Sequence, residues 1–520
     1  MDGYTSAPQR RQTLGTTAPA WVVLALLWSA AAQAQSHILT FGGGSDPGNT
    51  QISLEKNIIY FRQVLADVGM AKTPHEVYFA DGGASDHAVQ YRIDEDKDQQ
   101  FIDFLATVFS SDAELDVRFK RVELPNLQGP STLESMSRWM GAVGRGLHMD
   151  EHLLFYFTGH GGPDSNSRSG ALRNTTMAMW DSDSCTVRRF EQELDKLDPS
   201  IEVTLVMVQC HAGGFANVIY NDGDPTKGYS HHKRCGFFAT TASREAAGCT
   251  ADVDEEDYQD FSTHFFAALS GKTRTGKPVT RPDYDGDGAT SLSEAFAYVL
   301  LYSDTVDVPL TTSDQLLRDK SRERRTIDQD PSMLDRDAPY SKILSVANPW
   351  EKAVLEGLSK TLELDGEDRL IRARQQASRI ERERRDLARR RQQADRQIAG
   401  ARNRLRNALS VRWPELSQPW NAQAPKILQT ELPAIRKFVE GRPAYQDYLD
   451  ADDRANDSYD HSDELERKWA KLQRLVDRAQ TVILQTNLPK LADAETLEVY
   501  RALVERENRP LKAFQPSIPQ

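Results

Sequence analysis

Two glycine-rich stretches carry the residue types of nucleophilic catalysis: Thr158-Gly159-His160-Gly161-Gly162 and Gln209-Cys210-His211-Ala212-Gly213-Gly214. A cysteine supplies a sulfur nucleophile; an imidazole within reach makes or holds the thiolate and later protonates a leaving amine. The glycines leave room for backbone N–H groups, those of Gly161 and Cys210, to approach a developing oxyanion. A lone strand-end cysteine is commonly core, but a His-Gly unit and a Cys-small-Gly unit 50 residues apart point together to acyl transfer. His211 is a competing base, although adjacent residues leave a turn in different directions. His231, His232 and His264 read as surface or packing residues, without the second ligand cluster a zinc site needs.

Something must bring the two units together. Each follows a fully apolar run, LLFYF at 153–157 and VTLVMV at 203–208. Further short apolar runs at 37–41, 77–79 and 237–239 alternate with helical spacing at 53–68, 132–143 and 190–197. Continuous apolar strands separated by helices predict an α/β/α sandwich with a mostly parallel sheet covered on both faces, over residues 36–303. Ligands of such sheets bind beyond the carboxyl ends of the strands, where His160 and Cys210 fall.

A third constellation, residues 283–294, fits the calcium-loop pattern D-x-D-x-D-G-x5-E. Asp283, Asp285 and Asp287 supply carboxylates, Gly288 the sharp turn, Ala289 a carbonyl, Ser291 a water-bridged position and Glu294 a bidentate carboxylate. The alternative is a solvated acidic turn capping the next helix. A single such loop reads as structural rather than signalling, so Ca2+ is the expected ligand, and no organic cofactor is expected.

Over residues 37–269 the chain resembles the legumain family of cysteine peptidases, within the caspase-like superfamily. The segments DEHLLFYFTGHG (150–161), QCHAGG (209–214) and FATTASRE (238–245) carry the resemblance. It implies a caspase-like fold, His160 as base, Cys210 as nucleophile, and the Gly161 and Cys210 amides as oxyanion hole. It also implies a substrate pocket that includes Ser243 and Asp260. Where the family orients its histidine with an asparagine after Gly-Ser, this chain has Asp46 after Gly44-Ser45, and Asp46 is the expected orienting residue. Gly159 matches metacaspases instead, and two pocket serines of the family fall on Ala246 and Ala247. Selectivity at P1 is therefore open between asparagine, aspartate and a basic residue drawn to Asp260 and its acidic neighbours.

The first 34 residues describe an export signal: Arg10 and Arg11, an apolar run at 18–28, and an Ala32-Gln33-Ala34 exit. The run is shorter than the ~20 residues that span a bilayer, so the mature chain is expected to be periplasmic or secreted and without a transmembrane span. In an oxidising compartment, with Cys210 kept as a free thiol, Cys235 with Cys249 is the expected pair among Cys185, Cys235 and Cys249.

The chain of 520 residues has a net charge of -13, which argues against a general nucleic-acid binder. Residues 372–406 run against this balance, with 13 arginines, no lysine and four acids. Residues 304–348, polar and broken by prolines, read as a linker or surface extension, and 349–520 as helical. Positions 370, 373, 377, 380, 384, 387, 391, 394, 398, 401, 405 and 408 form a heptad seam, apolar except at Arg384 and Arg391. That predicts one long helix ended by Trp413-Pro414, in a coiled coil or hairpin with residues 463–484 as partner. The basic helix 372–406 is expected either to dock on the acidic body, as the legumain resemblance implies by position, so that truncation near residue 347 would raise activity, or to form a solvated face that meets an anionic surface. The functional expectation is an exported endopeptidase acting on peptide or protein substrates; its rival is a non-catalytic scaffold whose coiled coil binds partners.

Overall fold

The apolar runs assemble as the period-two geometry of strands requires, with successive side chains entering cores on opposite faces of one sheet. A computed structural model describes residues 36–93, 97–109, 116–147, 151–164, 174–321, 332–417 and 421–511. The expected export signal, residues 1–34, lies outside them.

In chain order the elements are β1 (Ser36–Gly43), α1 (Ile52–Asp67), β2 (His75–Phe79), β3 (Val89–Arg92), α2 (Lys97–Phe109), β4 (Val117–Lys120), β5 (Leu127–Gly129), α3 (Leu133–Ala142) and β6 (His152–Gly159). There follow β7 (Gly161–Gly162), β8 (Thr176–Met179), β9 (Asp183–Thr186), α4 (Val187–Leu194), β10 (Glu202–Met207), β11 (Lys233–Phe238), α5 (Phe261–Ser270) and α6 (Leu292–Tyr302). The chain continues through β12 (Leu310–Thr311), α7 (Thr312–Ser321), α8 (Tyr340–Val346), α9 (Pro349–Thr361), α10 (Arg369–Arg412), α11 (Ala424–Glu440), α12 (Pro443–Leu491) and α13 (Ala494–Glu507).

The main sheet has the order β12-β11-β10-β6-β1-β2-β5. Every pairing in it is parallel except β11 with β12. One face presents Ile38, Leu154, Tyr156, Val206 and Phe237 to α1, α5 and α6. The other presents Leu39, Phe41, Phe155, Leu205 and Met207 to α3 and α4. This is an α/β architecture with helices on both faces, and β1 and β6 flank the switch point from which the chain winds outward in both directions. Helix α1 follows from Leu54, Ile58, Phe61 and Leu65, an apolar stripe at helical spacing that is buried throughout.

The linker expected at 304–348 is corrected. Leu310 and Thr311 form β12, paired with Phe238 and Phe237, and α7 and α8 follow it. A strand of two residues is too short to show a period, so the sequence pattern gave no sign of it.

The C-terminal region is a long helical one. Helices α10 and α12 run antiparallel, as cross-pairs Arg384–Glu466 and Arg404–Asp447 demonstrate. The α10 seam is buried at Leu370, Ala373, Ala377, Ile380, Leu387, Ala394, Ile398, Ala401 and Leu405, and the helix stops at Arg412 as anticipated. At its base the hairpin belongs to the main core: Ala373, Ile380, Leu472, Leu475, Ala479 and Val482 share one apolar cluster with the sheet, α5, α6 and α9. At its tip Leu405, Leu409, Trp413, Ile435 and Val439 pack on Phe101, Leu105 and Val108 of α2.

Residues 372–406 meet the body through apolar residues of α10, among them Ala373, Ala377 and Ile380. Among its arginines, Arg384 and Arg404 pair with acids of α12, Arg372 and Arg389 with acids of their own neighbourhood, and Arg374 with Asp337 ahead of α8. No helix among the described residues is long and apolar enough to cross a membrane.

Candidate active site

Strands β6 and β10 are parallel neighbours, and Phe157 stands opposite Met207 at the end of their register. Val208 N–H donates to Phe157 O at 3.2 Å, so the pairing persists past the last register pair. His160 and Cys210 each lie three residues further on, at the carboxyl edge of the sheet. Gly161 is pressed against the backbone of Cys210: a Cβ there would sit 2.1 Å from Cys210 O and 2.6 Å from Gln209 Cγ. The structure thus brings His160, Gly161 and Cys210 together. Gly161 itself belongs to β7, laddered opposite Met177 of β8.

The Cys210 thiol is half-buried, and Ala246 N–H donates to its sulfur at 3.3 Å. Burial raises the thiol pKa above its ordinary value; the Ala246 amide offsets part of this, while Glu245 and Asp307 add to it. Burial lowers the His160 pKa, opposed by the Asn49 carbonyl and the charge of Asp46. Both shifts favour the uncharged forms, a thiol at Cys210 and a neutral imidazole at His160.

Asp46 is not the residue that holds the imidazole. Its Oδ1 accepts from Gly48 N–H at 2.8 Å, and its Oδ2 accepts from Asn49 Nδ2 at 2.9 Å and Ser45 Oγ at 3.2 Å, capping the 3-10 turn Pro47–Asn49. A carboxylate one residue before a proline-led turn is drawn into capping it. Gln51 takes the place instead, its Oε1 lying 2.9 Å from His160 Nε2. Only the nearness of Gln51 to the Gly44-Ser45 segment hinted at this. His211, the competing base, has a left-handed backbone (φ 60°) and turns its Nδ1 to Ala242 O at 2.9 Å.

No protein-family model matches the chain, and none of the curated proteins matches it. Among solved structures, the Geobacter sulfurreducens protein GSU0716 is similar at 10% identity over 45% of this chain and 81% of its own, with a TM-score of 0.27. That likeness is too slight to bear on activity.

Residues 241–250 form the loop beside the nucleophile. Ser243, expected in the pocket, is exposed there, with its Oγ 3.3 Å from Thr241 Oγ1. Asp260 is buried and caps α5, its Oδ1 accepting from Thr263 N–H at 2.7 Å and Ser262 Oγ at 2.6 Å. Its Oδ2 lies 3.8 Å from Arg274 Nη2. Arg274 is itself buried between the rings of Tyr60 and Tyr258 and donates to Asn57 Oδ1. A basic P1 side chain would have to compete with that guanidinium, which removes the argument for a basic P1 from Asp260.

The four cysteines are unpaired. The expected Cys235–Cys249 bridge is absent because Cys235 lies near the start of β11, buried 3.6 Å from Thr204 Oγ1, whereas Cys249 is exposed beyond the strand's other end.

In the acidic loop, carboxylate oxygens of Asp283, Asp285 and Asp287 lie within 4.8 Å of one another. Asp283 accepts from the Gly286 and Gly288 amides and Asp287 from Ala289, and both glycines take positive φ. Glu294 is turned to backbone, accepting from Tyr284 N–H and, in a capping box with Ser291, from Ser291 N–H at 2.9 Å. The structure gathers the three aspartates, with Ala289 and Ser291 on the same loop, and leaves Glu294 occupied with the start of α6.

Proposed function

We propose that the protein is an exported cysteine endopeptidase of the legumain/caspase-like type. The observation that carries the reading is the placement of His160 and Cys210 at the same level on adjacent parallel strands, with Gly161 packed on the Cys210 carbonyl. Cys210 Sγ attacks the scissile carbonyl while His160 takes the thiol proton. The carbonyl oxygen becomes an oxyanion beside the Cys210 and Gly161 amides. His160 then protonates the departing amine, leaving a thioester on Cys210, and afterwards takes a proton from the water that hydrolyses it. The loop 241–250 supports the substrate side of Cys210. Export is part of this proposal and rests on the sequence pattern of residues 1–34.

Calcium is proposed as a structural ligand of residues 283–294. The converging carboxylates of Asp283, Asp285 and Asp287 fit a hard cation, and the Ala289 carbonyl and Ser291 would complete its shell. Glu294 would join only by leaving its backbone donors. The ion would neutralise the loop; it takes no part in peptide cleavage.

The decisive experiment is labelling with acyloxymethyl ketone peptides whose P1 residue is asparagine, aspartate, arginine or lysine. Covalent capture at Cys210, lost in His160→Ala, is the expected result. An unlabelled protein whose Cys210 still reacts with a small alkylating agent would overturn the peptidase reading in favour of a scaffold.

A further inference from the structure

The loop next to the nucleophile is held by a helix more than 200 residues away in sequence. One line of contact starts at Ala246, whose amide reaches the Cys210 sulfur at 3.3 Å. The next amide, Ala247 N–H, donates to Asp307 Oδ1 at 2.8 Å. Asp307 is fully buried, in the turn between α6 and β12. One side chain of α12 gathers the carbonyls of that turn: Arg474 donates to Ser303 O at 2.8 Å, Thr305 O at 3.0 Å and Asp307 O at 2.8 Å. Arg474 is as buried as the turn it holds.

A second line runs beside the first. Arg244 O accepts the amide of His211, the residue after the nucleophile, at 2.8 Å. The Arg244 guanidinium donates to Glu466 Oε1 of α12 at 2.7 Å and lies 4.4 Å from the centre of the Trp469 ring. Glu466 is braced in turn by Arg384 of α10. Both lines begin at atoms that touch Cys210 or its neighbour, and both end on one face of α12.

A buried arginine and a buried aspartate are expensive to desolvate and are matched here by a full set of bonds. Their shared product is a fixed position for the amides at 246 and 247. Displacing such a positioning group by about 1 Å can cost about 100-fold in rate.

We infer that Glu466, Trp469 and Arg474 of α12, with Asp307 between helix and loop, are positioning residues for the Cys210 loop, so that the helical C-terminal region is part of the active-site frame. The inference deepens the peptidase reading and rests on it for its meaning, but its test does not. The titratable groups that bear on the Cys210 thiol include Glu245 and Asp307, and the Cys249 thiol interacts with it as well. Asp307 faces Arg474 of α12 and Asp260 at the start of α5.

The experiment uses the full chain and the variants Asp307→Asn, Glu466→Ala and Trp469→Ala. Alkylation of Cys210 by iodoacetamide is followed across pH, with the Cys210 peptide quantified by mass spectrometry; inactivation by a peptidyl acyloxymethyl ketone gives its KI and maximal rate. Removing the negative charge of Asp307 should move the alkylation midpoint to lower pH. Loss of the Arg244 contacts in Glu466→Ala and Trp469→Ala should raise the ketone's KI about tenfold, as for one lost charge-assisted bond. Melting temperatures of these two partly exposed variants should stay within about 4 °C of wild type. Should Asp307→Asn fail to fold, the α12 pair still decides. Alkylation profiles and KI unmoved in folded variants would overturn the inference. A wild type that alkylates but never reacts with the ketone would overturn the peptidase reading alone, and the alkylation rates of the variants would then decide the positioning.

Discussion

His160 and Cys210 stand equally far beyond one register pair, Phe157 opposite Met207, on strands hydrogen-bonded to each other. Their approach is therefore set by sheet register rather than by a flexible loop. A one-residue slip of β10 against β6 would send Cys210 to the other face of the sheet, so the same apolar burial that selects the register also selects the juxtaposition of the two segments.

On the peptidase reading, the pH profile of cleavage follows from the two shifts. The imidazole's pKa lies below its ordinary value of 6.5 because of burial, so His160 stays neutral, and able to accept a proton, to lower pH than a free histidine. The acid limb of kcat/KM should have its midpoint below 6.5. The thiol's pKa lies above its ordinary value of 9.0, so alkylation of the free protein should still be rising at that pH. A cleavage midpoint above 6.5 would contradict the proton-transfer scheme.

Gly161→Ala places a methyl group where 2.1 Å separates it from Cys210 O. Backbone must move, and overpacking of this kind costs about 1–3 kcal/mol. The expected outcome is a folded variant with a lowered urea midpoint and at least about 100-fold lower kcat/KM. Full activity in this variant would show that Gly161 and Cys210 need not be in contact.

Calcium should raise thermal stability if residues 283–294 bind it. At 100 times its dissociation constant the gain is about 2.7 kcal/mol. Asp283→Ala with Asp285→Ala should remove the dependence, and Glu294→Ala should also lower stability without calcium, because it takes the cap from α6. Identical melting curves with calcium and with chelator would refute the site.

Removal of the chain beyond residue 347 should unfold the protein rather than activate it. The lost helices contribute Leu472, Leu475, Ala479 and Val482 to the main core, and Arg474 satisfies the carbonyls of the turn that holds Asp307. Arg474→Met alone should cost about 3–5 kcal/mol, the cost of stripping one partner from a buried charge. A soluble, folded 36–347 fragment by circular dichroism would refute this.

The parts of the fold that were legible in the sequence are those with a local period. The runs ending at Phe157 and Val208 announced buried parallel strands, and the spacing from Leu370 to Leu405 announced α10 and its stop at Trp413. The placement of His160 and Cys210 at the sheet's carboxyl edge was legible because each follows such a run directly. Gln51, Asp307 and Arg274 were not, since each acts through partners distant in sequence and none sits in a motif. Asp46 misled for a local reason: the proline-led turn after it claims its carboxylate. The polarity of 304–348 concealed β12, because a buried polar turn satisfied by Arg474 looks in sequence like a solvated one.

Both borders of the main sheet are very short. Its outer strands, β12 and β5, have two and three residues. Strands of that length present almost no free ladder on which another chain could grow. On the peptidase reading, a substrate would then be met by loops such as 241–250 rather than by the borders of the main sheet. Mutations in that loop should alter which peptides are accepted while leaving the sheet's resistance to edgewise self-association untouched.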